Sequence, residues 1–124
     1  MVHESVHERL VADLVAKAGS WTPGDPLAAS TQMGPVASRA QLDGILAKLA
    51  ANRSGTVVTG GRVAEPVAGG FYLEPTIIDG VDNASPIAQQ EIFGPVLTIS
   101  TFREDAEALA LANDAVYGLA AGVW

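Results

Sequence analysis

The 124-residue chain contains no cysteine. It can therefore form no disulfide, offer no thiolate to a metal and carry no thiol nucleophile. Basic residues are scarce: 7 Lys and Arg stand against 14 Asp and Glu, a formal net charge of −7. Such a surface repels the phosphates of nucleic acid and of anionic lipid, so neither is expected as a partner. Long apolar runs are also missing, and no stretch approaches the roughly 20 residues that cross a bilayer. The opening residues Met1-Val2-His3-Glu4 form neither a basic region nor an apolar one. This stretch thus shows no secretory signal, and the expected location is cytoplasmic.

What is present points to a folded chain. Hydrophobic residues make up 48% of it and the mean hydropathy is +0.26, too apolar for a disordered polymer. Its length suits one core, with roughly two-thirds of the unfolded surface buried on folding. Residues 1–124 are accordingly read as a single segment.

Hydrophobic spacing predicts the elements. Val6, Leu10, Val11, Leu14, Val15 and Ala18 recur at helical intervals. Ser5 and Glu8 form a capping-box pattern at the start, and Gly19 stands where a left-handed C-terminal residue is wanted. The segment Trp21 to Leu27 is broken by Pro23, Gly24 and Pro26 and predicts a linker. Ser38 and Gln41 repeat the capping pattern ahead of Leu42, Ile45, Leu46 and Leu49, with Gly44 weakening the helix by about 1 kcal/mol relative to alanine. Thr56 to Thr59 reads as a strand ending at Gly60-Gly61. Phe71 to Ile78 is strand-like, with Pro75 pointing to an edge or an irregular stretch. Val96 to Ser100 reads as a buried strand, Glu104 to Ala112 as a helix, and Gly118 to Trp124 as the start of another strand. Helices alternating with short strands predict an α/β class, with helices packed on a largely parallel sheet.

His3-Glu4-Ser5-Val6-His7 matches H-E-x-x-H, the spacing that puts two zinc-binding histidines on one helical face with a glutamate to activate water. If Ser5 caps the helix, His3 lies outside it and cannot share a face with His7. The inward face would then belong to Val6, Leu10 and Leu14, and no third ligand stands out. No metal site is expected.

A second set of blocks carries more weight: Gly24-Asp25-Pro26-Leu27, Met33-Gly34-Pro35, Gly60-Gly61, Pro75-Thr76, Glu91-Ile92-Phe93-Gly94-Pro95-Val96, and Ala112-Asn113 leading to Tyr117 to Trp124. In order and spacing they resemble the aldehyde dehydrogenase superfamily, nearest to its betaine-aldehyde and γ-glutamyl-aminobutyraldehyde branch. The resemblance implies part of a catalytic domain from an NAD- or NADP-dependent enzyme that oxidises an aldehyde to an acid.

It also implies roles. Glu91 would accept hydrogen bonds from the ribose hydroxyls beside the nicotinamide, and Phe93 would pack against that end of the cofactor. The residue types suit this: an ionised carboxylate can hold two vicinal hydroxyls at once, and an aromatic face buries much area at little entropic cost. Gly94-Pro95 would fix the turn that aims both. Where the family has a second acidic residue this chain has Gln90. The remaining Gly and Pro blocks read as architectural, and Asn113 is left open between a helix-end role and an approach to the site.

The family's chemistry needs a cysteine thiolate that adds to the carbonyl and a glutamate that assists hydrolysis of the thioester. No catalytic residue is assigned in this chain. By the resemblance, the nucleophile motif, the general base and the dinucleotide-binding domain lie before residue 1, and an oligomerisation segment lies beyond residue 124. The chain alone is thus expected to be inactive and to bind cofactor weakly or not at all. In the parent enzyme the expected partners are the nicotinamide cofactor, a small aldehyde and further copies of itself. The alternative expectation is a non-catalytic module that self-associates through apolar faces.

Overall fold

A computed structural model describes residues 1–118 and 120–124. A short strand β1 (Val2–His3) leads through a 3-10 turn (Glu4–Val6) into α1 (His7–Ser20); α2 (Arg39–Ala51) follows an irregular linker. Then come β2 (Thr56–Thr59), β3 (Val63–Ala64), β4 (Tyr72–Leu73), β5 (Thr76–Asp79), the single turn α3 (Pro86–Gln89), β6 (Val96–Ile99), β7 (Thr101–Phe102) and α4 (Asp105–Asn113).

The expected α/β class holds. The main sheet has the order β2-β5-β6, with β5 antiparallel to β2 and parallel to β6. A parallel pair β1–β7 and an antiparallel pair β3–β4 stand beside it. Among the described residues parallel and antiparallel pairings are therefore balanced, where the sequence pattern predicts a largely parallel sheet.

Strand β5 organises the core because successive side chains of a strand point to opposite faces. Ile77 joins Val2 and Ile99 beneath Val11, Leu14, Val15 and Ala18 of α1. Ile78, fully buried, faces the other way and joins Val81 and Ile87, against Leu49 of α2. A neighbouring cluster of Leu42, Ile45 and Leu73 seats α2. Helices thus cover both faces, and burying a side chain such as Ile78 contributes about 1.5–3 kcal/mol.

Local chemistry explains where the elements start and stop. The Oγ of Ser38 accepts from the Gln41 amide at 3.2 Å, as the capping pattern predicts, while Gln41 Oε1 reaches one residue further back to accept from the Ala37 amide at 2.9 Å. The first helix departs from expectation. His3 takes the cap of the 3-10 turn, its Nδ1 accepting from the Ser5 amide at 3.1 Å, so Ser5 lies inside that turn and α1 begins at His7 with no side-chain cap. Val6 and Leu10 are exposed and only the later part of the apolar stripe packs. Gly19 stays helical; the end is closed by Ser20 Oγ donating to the Lys17 carbonyl at 2.6 Å.

Pro75 divides the 71–78 stretch into β4 and β5 rather than marking an edge, since β5 is the central strand. The interruption leaves buried Thr76 satisfied: its hydroxyl donates to the Glu74 carbonyl and accepts from the Gly61 amide, each at 2.8 Å. Gly60 has φ +73°, and a Cβ there would collide with the Pro75 carbonyl. Only glycine suits that crossing. Strand β6 is half-buried, with Leu97 exposed. The strand expected over 118–124 is not formed at residue 118 or residues 120–124; residue 119 lies outside the described residues. No helix among the described residues is long and apolar enough to cross a membrane.

Candidate functional site

Residues 90–95 connect α3 to β6, and alternation along this loop sorts its side chains. Ile92 turns inward to pack on both clusters that flank α2. Glu91 and Phe93 turn outward, Phe93 with 72% of its surface exposed. This decides against Phe93 being a core residue. Its φ of +53° is the only positive value among the described non-glycine residues, a conformation that costs a side-chain-bearing residue of order 1–3 kcal/mol.

Contacts to the backbone before, at and after Phe93 hold that conformation. The Pro95 carbonyl accepts from the Thr76 amide at 2.9 Å, tying the loop to the start of β5. Gly94 lies against Ile45, where a Cβ would strike the isoleucine side chain. Gln41 Nε2 donates to the Phe93 carbonyl at 2.6 Å, and Lys48 Nζ donates to the Glu91 carbonyl. Residues 41, 45 and 48 follow an i, i+4, i+7 spacing, one stripe of α2. The whole stripe grips one loop.

The Glu91 carboxylate has no hydrogen-bond or ion-pair partner among the described residues. An exposed carboxylate next to an exposed aromatic face can take a polyhydroxylated ligand that also presents a flat surface. Neither Glu91 nor Phe93 lines either of two clefts among the described residues. A cleft of about 500 Å³ lies behind the loop, walled by Lys48, Arg53, Ser54, Asp82, Gln90 and Ile92. Another of about 340 Å³ runs between α1 and β6, walled chiefly by Leu14, Trp21, Met33, Ile77, Pro95 and Leu97. Glu91 and Phe93 stand side by side on an outer face.

The histidines of the H-E-x-x-H match go separate ways. His3 Nε2 bonds the Arg103 carbonyl at 2.9 Å and its ring packs edge-on against Phe102, whereas His7 Nε2 meets Asp79 Oδ1 at 2.7 Å. No group of three or more His, Asp or Glu that could hold a metal occurs among the described residues. Asn113 serves its own helix end, with Nδ2 donating to the Leu109 carbonyl at 2.7 Å.

The sequence pattern marks Gln41 only as a cap and gives Lys48 no role. The sequence signal was their shared stripe with Ile45, which becomes informative once the loop is known to lie on it.

Comparison with known proteins places the chain in a family. The model of the Aldehyde dehydrogenase family matches residues 1–124. An aldehyde dehydrogenase of Deinococcus radiodurans is 44% identical over 128 residues, covering 100% of this chain and 25% of that protein. The solved structure of an indole-3-acetaldehyde dehydrogenase complexed with NAD+ superposes with a TM-score of 0.91 at 40% identity, over 95% of this chain and 24% of that one. A γ-glutamyl-γ-aminobutyraldehyde dehydrogenase from Burkholderia cenocepacia gives 0.90 at 40% identity, over 95% and 24% respectively. The chain spans about a quarter of the length of the relatives it matches.

Proposed function

The chain belongs to the aldehyde dehydrogenase family, and on that footing we propose that it supplies the nicotinamide-ribose contact of an NAD- or NADP-dependent oxidation of an aldehyde to a carboxylic acid. The observation that carries this reading is the outward pairing of Glu91 and Phe93 on a loop gripped by α2. The unpaired Glu91 carboxylate suits the two vicinal hydroxyls of a ribose, and the exposed Phe93 ring suits the flat surface beside it. The residues present fit that end of the cofactor. A bound nicotinamide cofactor would supply the hydride acceptor; Glu91 would orient its ribose and Phe93 would exclude water from that side.

The nucleophile must come from elsewhere, because the chain has no cysteine. We expect the isolated chain to be inactive and to bind cofactor weakly. The test is reconstitution: the 124-residue chain is mixed with a relative shortened by its matching quarter, and NADH formation from a short aldehyde is followed. Activity in the mixture and none in either part is the expected result. Robust activity of the chain alone, or none in a soluble, folded mixture, contradicts the proposal.

A second reading, a non-catalytic module that self-associates, draws on the apolar walls of the cleft between α1 and β6 and on the exposure of Trp21 and Leu97. Contiguous apolar surface of this kind favours assembly of copies. Size-exclusion chromatography with light scattering decides it: concentration-dependent dimers or larger species support it, and a monomer at all concentrations contradicts it.

A further inference from the structure

We propose that Gln41 and Lys48 are positioning residues that hold the Glu91–Phe93 segment in its receiving geometry before any ligand arrives, an inference that rests on the cofactor reading above. Both donate to main-chain carbonyls, of Phe93 and Glu91 respectively. They therefore fix the backbone and leave the Glu91 carboxylate free. A direct Lys48–Glu91 ion pair would do the opposite, occupying the lone pairs that a diol needs.

The two donors sit two turns apart on α2 with Ile45 between them, and Ile45 fills the space that Gly94 leaves open. Helix α2, anchored by buried Leu42 and Ile45, thus bears on three successive parts of the loop. The sequence separations, 52 residues for Gln41 to Phe93 and 43 for Lys48 to Glu91, make these tertiary contacts. A left-handed phenylalanine persists only where its surroundings over-determine it, and these contacts supply that constraint. Ligand groups aimed by fixed supports lose less freedom on binding than groups that must first be ordered.

Gln41 also caps α2, so the informative substitution keeps its acceptor. Gln41→Glu retains an oxygen for the Ala37 amide and removes the donor to Phe93; Lys48→Met keeps the aliphatic stem and removes the donor to Glu91. In the whole 124-residue chain, 15N relaxation should give order parameters near 0.85 for the Ile92, Phe93 and Gly94 amides, falling below about 0.6 in the double variant. Lys48→Arg, which restores a donor, should keep the loop ordered. A loop as rigid in the double variant as in wild type overturns the proposal.

Cofactor titration of the reconstituted assembly separates this idea from its premise. The double variant should weaken NAD binding about tenfold to a hundredfold, the scale of a misplaced contact. A loosened loop with unchanged NAD affinity contradicts the positioning role. Glu91→Gln touches neither donor, so its loop should stay rigid while NAD binding falls; a rigid loop with undiminished affinity in that variant contradicts the cofactor reading instead.

Discussion

The side-chain amide of Gln41 bridges two structures: its Oε1 closes the start of α2 on the Ala37 amide at 2.9 Å, and its Nε2 holds the Phe93 carbonyl at 2.6 Å. One residue thereby joins a helix cap to the outward-facing loop. Losing the amide should loosen both. Gln41→Leu is expected to lower unfolding stability by roughly 1–2 kcal/mol, the loss of two solvent-exposed hydrogen bonds at about 0.5–1.5 each or less. Urea denaturation with an unchanged slope measures it; a midpoint equal to wild type contradicts the bridging role.

Gly60 sets a second expectation. With φ +73° and the Pro75 carbonyl occupying the place of a side chain, alanine there carries both backbone strain and a collision. Gly60→Ala should cost more than the roughly 1–3 kcal/mol of strain alone, because the collision adds to it. Gly44→Ala, at a helical position with open space around it, should stabilise by up to about 1 kcal/mol. Thermal melts of the two variants should move in opposite directions.

His7 and Asp79 join the start of α1 to the end of β5 at 2.7 Å, with 23% and 20% of their side-chain surfaces exposed. The pair is partly screened, so Asp79→Ala should cost about 1 kcal/mol, near the value of a single hydrogen bond. Asp79→Asn keeps an acceptor and should cost less. An Asp79→Ala variant as stable as wild type would mean that the contact itself contributes nothing.

Arg103 and Glu4 form the contrasting case. Their 2.7 Å contact lies in solvent, and the Glu4 hydrogen bond followed by its charge raises the Arg103 pKa above the ordinary guanidinium value. A group raised from so high a value stays charged throughout the working pH range, so it adds no pH dependence to stability there. Exposed pairs are screened and offset by side-chain entropy. Glu4→Gln should therefore leave the melting midpoint unchanged at physiological salt, and a clear loss of stability contradicts this.

What the sequence reveals here is what short-range chemistry controls. The Ser38 cap, the β2 strand ending at Gly60-Gly61, the irregularity at Pro75 and the helix near Glu104–Ala112 each depend on residues within a few positions of one another. The Ser5 capping box fails because the Ser5 amide, which that pattern gives to Glu8, is taken by the His3 ring, and sequence patterns do not rank those two acceptors. Strand direction depends on which distant segments meet, so the balance of parallel and antiparallel pairings was hidden. The family blocks pointed to Glu91 and Phe93; that both side chains face outward, and that Gln41 and Lys48 support them, required contacts 43 and 52 residues apart in the chain.

The most direct test is the NAD affinity of Glu91→Gln in the reconstituted assembly, measured by cofactor titration against the wild-type assembly. A hydrogen bond to a charged group contributes about 1.5–3 kcal/mol, so the account predicts binding weakened by roughly tenfold or more. Unchanged affinity together with an unchanged rate of hydride transfer would contradict the assignment of Glu91 to the cofactor.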